Sequence, residues 1–462
     1  MLHKYIGDKV FYRRVILVAL PIILQNLITN FVGMLDNIMV GQLSTAQISA
    51  VNICNNNLLF IFNLCMFGCA SSAGIFTTQF HGSGDQEGIR HTFRFKVVGC
   101  MALTAVAAAI FWFGSDTLVG LYLKGDGDPA LAADTLHYGR QYLHIMILGL
   151  IPFSLTNAYA GTLRECGHPT LPMIAGITAT VVNLVGNYIL IFGHFGAPAM
   201  GVAGAAIATV VSRYVELAIV VAWTHLNPQK NPYIRGVYKG FHIPGPLLKQ
   251  IFIKGLPLIL NETLFSAGLA FLNQCYSLCG LDVVPALSIS TTIYNMTAVI
   301  FRSLGITVGI LTGQMMGAGL PEEEIRDSNR KQIALCVVSG VAFGAITAAF
   351  SGGFPLIFKT TDAVRHLATQ MILVSAVCMP LHAYIMPAYF TLRSGGKTMI
   401  TFLFDSGSIW LLMLPLAFCL TRFTDMPIIP VYILCNSLDI IKCFIGVALI
   451  RSGSWIQNLT AK

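Results

Sequence analysis

Twelve runs of mainly apolar residues, separated by short polar stretches, divide this chain. A helix needs about 20 apolar residues to cross a bilayer. On that rule the pattern predicts spans at 15–40, 48–80, 95–114, 136–160, 170–193, 201–225, 250–275, 285–316, 332–351, 364–391, 398–420 and 430–450. The second and eighth runs exceed the bilayer's thickness, so those helices are expected to tilt or to project beyond it. The leading MLHKYIGDKVFYRR carries no cleavage site, and the apolar run after it is too long for a signal-peptide core. The first helix is therefore expected to stay in the membrane.

Composition agrees with that pattern. Hydrophobic residues make up 55% of the chain and charged residues 10%. A soluble protein carries roughly a quarter charged residues, so this chain has too few to coat a water-facing globule. The fold class expected is all-α: a polytopic membrane protein of twelve transmembrane helices in two six-helix lobes. The net charge of +8 does not point to nucleic acid, because no basic stripe with interleaved aromatics is present. It follows the loops instead. Lys4, Lys9, Arg13, Arg14, Arg90, Arg94, Lys96, Arg164, Lys230, Arg235, Lys239, Lys249, Lys254, Arg326, Arg330, Lys331, Arg393, Lys397, Arg451 and Lys462 fall on the side of the N-terminus; Lys124, Lys359, Arg365 and Arg422 fall on the other. An excess of that size places both termini in the cytoplasm, and an odd number of spans would scramble it. The cysteines lie in or beside apolar runs without ligand spacing, and read as small packing residues rather than as a metal site.

The two halves repeat at an offset near 236 residues. ALPIILQN from Ala19 matches GLPLILNE from Gly255. Gln79, Gly82, Gly84, Arg90 and Arg94 match Gln314, Gly317, Gly319, Arg326 and Arg330. TLRECGHPT at 162–170 matches TLRSGGKT at 391–398, both taken as loops. Six spans per repeat is an even number, so the copies enter from the same side and are related by an axis along the membrane normal. Parallel repeats of this kind are a transporter architecture, with the substrate site expected between the halves. The division expected is an N-terminal lobe at 1–226, a flexible cytoplasmic linker at 227–249 and a C-terminal lobe at 250–462. No nucleotide-binding loop is present; the energy source expected is an ion gradient, with no cofactor.

The stretch 183–213, NLVGNYILIFGHFGAPAMGVAGAAIATVVSR, carries an Asn-x3-Asn pair, an IFG ending the fifth span and a GVAGAAIAT opening the sixth. With VGMLDNIMVGQLS at 32–44, the paired LR motifs, and Asp405, Trp410 and Pro415 in the eleventh span, it resembles the multidrug and toxic compound extrusion (MATE) family from about Val18 to Asn458. The resemblance implies two six-helix lobes around a central cavity in the bacterial inner membrane. It implies export of amphipathic, often cationic compounds by a monomer, driven by inward movement of Na⁺ or H⁺.

Acids inside a bilayer are expensive and usually face the bundle interior or water. Five fall within the spans: Asp36, Glu216, Glu262, Asp405 and Asp439. Asp36 near the outer end of the first span, Asn187 in the fifth and Thr209 in the sixth sit at depths within about 6 Å at 1.5 Å per residue, and Asn183 lies one turn from Asn187 on the same face. A carboxylate with amide and hydroxyl oxygens at one depth suits a desolvated monovalent cation, with Asp36 and Asn187 as its ligands, or a proton in its place; capping of a helix end is the plainer role for Asp36. The matching family positions form such a site. In several relatives the second Asn is Asp, which leaves one charge fewer here and the identity of the ion open. Asp36 aligns with Leu272 in the second half, so the site is expected once, in the first lobe. Glu262 and His382 are the positions the resemblance assigns to the second lobe's substrate or proton chemistry; His382 serves equally as a structural hydrogen bonder. Arg213 with Glu216, and Asp439 with Lys442, stand three apart and suit neutralising pairs. Asn52, Asn55, Asn56 and Asn57 are expected against Gln25, Asn26 or Asn30 of the first span, or a cavity. Met66, Tyr294 and Met296 are candidate cavity-wall residues, since soft and aromatic surfaces accept many shapes.

Two other classes compete. A flippase for lipid-linked precursors has a related fold and needs a cationic groove, but, with Lys96, Lys254 and Arg365 at span ends counted among the loop charges, the intramembrane Arg and Lys are few: Arg140, Arg213, Arg302 and Lys442. A membrane enzyme lacks support from any nucleophile–base or metal-ligand spacing.

Overall fold

The computed structural model describes residues 4–123, 128–358 and 360–461; Lys124, Lys359 and Lys462 of the charge count lie outside the described residues. Among the described residues, twelve helices are long and apolar enough to cross a membrane: α1 Lys9–Val40, α2 Thr45–Ser83, α3 Gln86–Gly120, α4 Pro129–Glu165, α5 Thr170–Phe192, α6 Val202–Leu226, α7 Gly245–Ser277, α8 Val283–Gly317, α9 Glu322–Phe350, α10 Asp362–Ser394, α11 Thr398–Phe423 and α12 Ile428–Ser452. Each coincides with one apolar run. Helices α3 and α4, at 35 and 37 residues, outrun their spans because polar turns extend them. Asp85 caps α3 by accepting from the Glu87 and Gly88 amides, and Asp128 caps α4 through Ala130. Two helices carry π turns, Cys54–Leu59 in α2 and Leu403–Gly407 with Ile409–Met413 in α11. The LR motifs are not loops; Arg164 and Arg393 stand in the last turns of α4 and α10.

The chain forms two compact units. One comprises residues 24–77 and 85–255, the other 1–23, 78–84 and 256–462. The expected cut at 226 and 250 differs from this, because apolar contacts rather than chain order draw the boundary. The start of α1 packs in the second unit, where Val15, Val18 and Ile22 meet Ile310 and Leu311 of α8. The start of α7 packs in the first, where Phe252 stands edge-on to Phe95 at 5.6 Å. Because 9–19 and 245–255 are equivalent in the repeat, each copy lends the beginning of its first helix to the other copy's unit.

The second unit also contains a crossing between the repeat's matched glycines. A Cβ on Gly317 would lie 2.5 Å from the Gln79 carbonyl carbon, and one on Gly82 would lie 2.8 Å from that of Gln314. The two motifs thus pack on each other's backbone reciprocally. The Gln79 side chain, next to this contact, donates to the carbonyls of Ser394 and Gln457, each at 3.0 Å, and accepts from the Leu459 amide at 2.7 Å.

The stretch expected as a flexible linker is ordered against the first unit. It contains 3₁₀ turns at Pro232–Ile234 and Val237–Lys239, with Tyr233 and Val237 buried. Arg90 donates to the Tyr233 carbonyl, and Arg94 donates to those of Val237, Gly236 and His242. Burial drives the Tyr233 phenol well above its ordinary value, so it stays neutral.

Candidate functional site

In the first unit the small residues of the GVAGAAIAT motif bring α5 and α6 together. A Cβ on Gly204 would lie 2.5 Å from the Leu190 carbonyl oxygen, so only glycine permits that spacing. The approach lets the Asn183 amide on α5 donate to Thr209 Oγ1 on α6 at 3.2 Å. One turn away, Asn187 Nδ2 donates to Asn183 Oδ1 at 3.3 Å and to the Asp36 carboxylate on α1. The four residues expected to lie at one depth therefore form one continuous chain across three helices. Asn187 is fully buried, and its Oδ1 has no hydrogen-bond partner. A buried amide oxygen left without a donor is costly and is chemically suited to a cation: it stands on the residue that bonds the carboxylate, and Asn183 and Thr209 supply further oxygens. The donor set is all oxygen with one formal charge, which fits a monovalent ion or a proton on Asp36.

Around this chain the π turn of α2 reorients its asparagines. Asn55 Oδ1 accepts from the Tyr142 hydroxyl on α4 at 3.0 Å, and Asn56 donates to Asn52 at 3.5 Å. The partner of Asn55 is thus on α4 and not on the first span, one of the two surroundings expected for these asparagines; the π turn takes its side chain out of regular helical register. Tyr142 lies within electrostatic range of Asp36; nothing in the spacing of α4 marked it. Arg213 does not bond Glu216. It donates to the Gly149 carbonyl at 3.3 Å and covers the Phe153 ring at 4.8 Å. Met66 is completely buried.

The second unit holds a separate polar cluster built by four helices. Lys442 on α12 is bound to Asp405 on α11 at 2.7 Å, with both side chains about nine-tenths buried. Asn261 on α7 donates to Asp405 at 3.2 Å and to the Tyr389 hydroxyl on α10 at 3.3 Å. Its Oδ1 accepts from the Ser406 amide, which the π turn of α11 frees from the helical ladder, and from the Ser406 hydroxyl. The expected Asp439–Lys442 pair is not formed. Lys442 turns to Asp405, and Asp439 bonds His382 Nε2 on α10 at 2.8 Å, with the Tyr294 ring edge-on to the imidazole at 5.3 Å. Glu262 is half-buried, with Arg393, Asp405 and Arg302 as its charged surroundings. Met296 is 43% exposed. Glu262 and His382, the two positions the resemblance assigns to the second lobe, thus have different surroundings. Asn261, Tyr389 and Tyr142 are the polar residues that the sequence reading did not single out.

Comparison with known proteins places this arrangement. The model of the MatE family matches residues 21–189 and again 257–419, two segments whose starts differ by 236 residues (257 − 21), the offset of the internal repeat. The probable multidrug resistance protein NorM of Thermotoga maritima is 22% identical over 444 residues, covering 96% of this chain and 93% of that protein. Multidrug resistance protein PmpM of Pseudomonas aeruginosa is 25% identical over 417 residues, covering 88% and 83%. Among solved structures, an outward-facing multidrug resistance MATE transporter superposes with a TM-score of 0.85 over 98% of both chains at 16% identity, a likeness of fold. Since the family's model matches both halves of the repeat and most of the chain, this protein belongs to the multidrug and toxic compound extrusion (MatE) family, whose members are membrane transporters and not enzymes.

Proposed function

We propose that this protein is a secondary active antiporter that exports amphipathic, often cationic, drugs or metabolites in exchange for Na⁺ or H⁺. It works as a monomer in the bacterial inner membrane, with both termini in the cytoplasm. The multidrug resistance designations of the NorM and PmpM relatives support the substrate class. The unequal distribution of Lys and Arg supports the orientation.

The observation that carries the coupling mechanism is the chain Asp36–Asn187–Asn183–Thr209, together with the unpartnered buried oxygen of Asn187. A cation arriving there meets a carboxylate and neutral oxygens carried by three membrane helices. A proton neutralises the same carboxylate. Either ion drives a conformational change only in so far as it binds one state more tightly than the other. Ion arrival from outside favours drug release, and drug capture from the cytoplasm or the inner leaflet favours ion release inward. Glu262, His382 and Tyr294 in the second unit supply polar and aromatic surface for cationic substrates.

The test is efflux of ethidium or norfloxacin from proteoliposomes under an imposed Na⁺ gradient or an imposed pH gradient, for the native chain and for Asp36→Asn. Gradient-driven efflux is expected from the native protein and none from the variant at equal protein level. Unimpaired efflux by Asp36→Asn removes the site assignment, and efflux indifferent to both gradients removes ion coupling.

A further inference from the structure

A cleft of about 520 Å³ lies in the second unit, where α9 begins and α12 ends. Its rim is basic, with Arg326, Arg330 and Arg451, and no carboxylate lines it among the described residues. Its wall is apolar, formed by Ala334, Val337 and Val338 of α9 with Val447 and Ile450 of α12. Val338 is 66% exposed on the same helix face, so the wall runs on to the surface that a bilayer covers. The site is unrelated to the Asp36 chain and independent of what the protein exports.

The rim is built rather than incidental. Gly453 ends α12 in the left-handed conformation, φ 68°, and a Cβ there would fall on the Arg326 guanidinium. That bare backbone lets Arg326 reach over the helix end and donate to the Arg451 carbonyl at 2.9 Å. Arg330 donates to the Lys4 carbonyl at 3.0 Å and lies over the Tyr5 ring at 5.7 Å, which closes the cleft with the N-terminal segment. Arg326 is neutralised by Glu322, and Arg330 by Asp327. Arg451 has no carboxylate within 4 Å among the described residues. One guanidinium is left over, beside two others that retain unused N–H donors.

We propose that this cleft binds an anionic glycerophospholipid from the adjoining leaflet. The phosphate sits at Arg451 between Arg326 and Arg330, and an acyl chain lies along Ala334, Val337 and Val338. Basic pockets between membrane helices recognise acidic headgroups in this way, and a guanidinium fork matches phosphate oxygens in geometry as well as in charge. The apolar wall selects a lipid over a free anion, because inorganic phosphate gains nothing from burying it.

The experiment is native mass spectrometry of the purified full chain, titrated separately with phosphatidylglycerol and with phosphatidylcholine of the same acyl composition, with and without equimolar inorganic phosphate. The native protein is expected to retain phosphatidylglycerol in preference to phosphatidylcholine and to keep it in the presence of phosphate. Arg451→Gln should weaken phosphatidylglycerol retention about fivefold while leaving phosphatidylcholine unchanged, and Arg451→Lys should restore part of it. Ala334→Trp fills the wall without altering charge and should weaken retention as well. If that variant does not remain monodisperse, Val338→Gln, at an exposed position, makes the same test. Equal retention of the two lipids, indifference to Arg451→Gln, displacement by phosphate, or indifference to the wall substitution would each overturn the proposal.

Discussion

Adding one methyl group at Gly317 or at Gly82 tests the reciprocal helix crossing directly. In Gly317→Ala the new carbon would lie 2.5 Å from the Gln79 carbonyl carbon, and in Gly82→Ala it would lie 2.8 Å from that of Gln314. Non-bonded carbons settle at about 3.5–4.0 Å, so the helices must separate by roughly 1 Å, and the obstacle is backbone that cannot rotate aside. Overpacking of this kind costs about 1–3 kcal/mol, with the upper end apt for a rigid neighbour. Alanine returns about 1 kcal/mol through its better helix propensity. The balance is a loss of about 1–2 kcal/mol, or roughly 2–8 °C by the scaling for units of a couple of hundred residues. The assay is thermal unfolding of the purified protein in detergent. Gly33→Ala is the control: it lies within α1 with nothing inside 4 Å of its added carbon, so the propensity gain stands alone and the midpoint should hold or rise. Since one separation relieves both overlaps, Gly82→Ala/Gly317→Ala should lose less than the sum of the single variants. Midpoints for Gly82→Ala and Gly317→Ala equal to that of Gly33→Ala would refute the packing argument.

Three further outcomes follow from the same structure. Lys442→Met leaves Asp405 buried without its cation, which costs about 3–5 kcal/mol, whereas Asp405→Asn/Lys442→Met keeps the Asn261 contact and removes both charges; the double variant should unfold at a higher temperature than Lys442→Met. Thr209→Val removes the acceptor for the Asn183 amide; at about 1 kcal/mol for that bond, the ion concentration for half-maximal drug efflux should rise about fivefold with protein level unchanged. His168, between α4 and α5, has its imidazole held below the ordinary value by burial, so the unfolded chain takes up a proton before the folded one does. The folded state should therefore be most stable above about pH 6.5 and lose stability as pH falls from there, and His168→Gln should flatten that slope in thermal unfolding measured from pH 7 to pH 5.

Much of this protein was legible before any coordinates. Twelve apolar runs sufficed for twelve helices, because a bilayer demands long, uninterrupted apolar stretches and leaves few alternatives. The repeat was visible because Gln79, Gly82 and Gly84 recur as Gln314, Gly317 and Gly319. That Asp36, Asn187 and Thr209 lie at one depth followed from counting residues, since membrane helices share one common axis along which residues can be counted. Depth says nothing about azimuth. Which helix faces which was decided only in the folded chain, and there the spacing argument failed: Lys442 turned to Asp405 and Asp439 to His382, although 439 and 442 share a face. Spacing along one helix shows which side chains are neighbours, not which neighbouring helix offers the better partner. The exchange of helix starts between units and the docking of the linker were equally hidden, because both depend on apolar surfaces far apart in sequence. Local sequence set the elements and their depth; long-range packing chose the contacts, since only there do desolvation and pairing of buried charges compete across several helices at once.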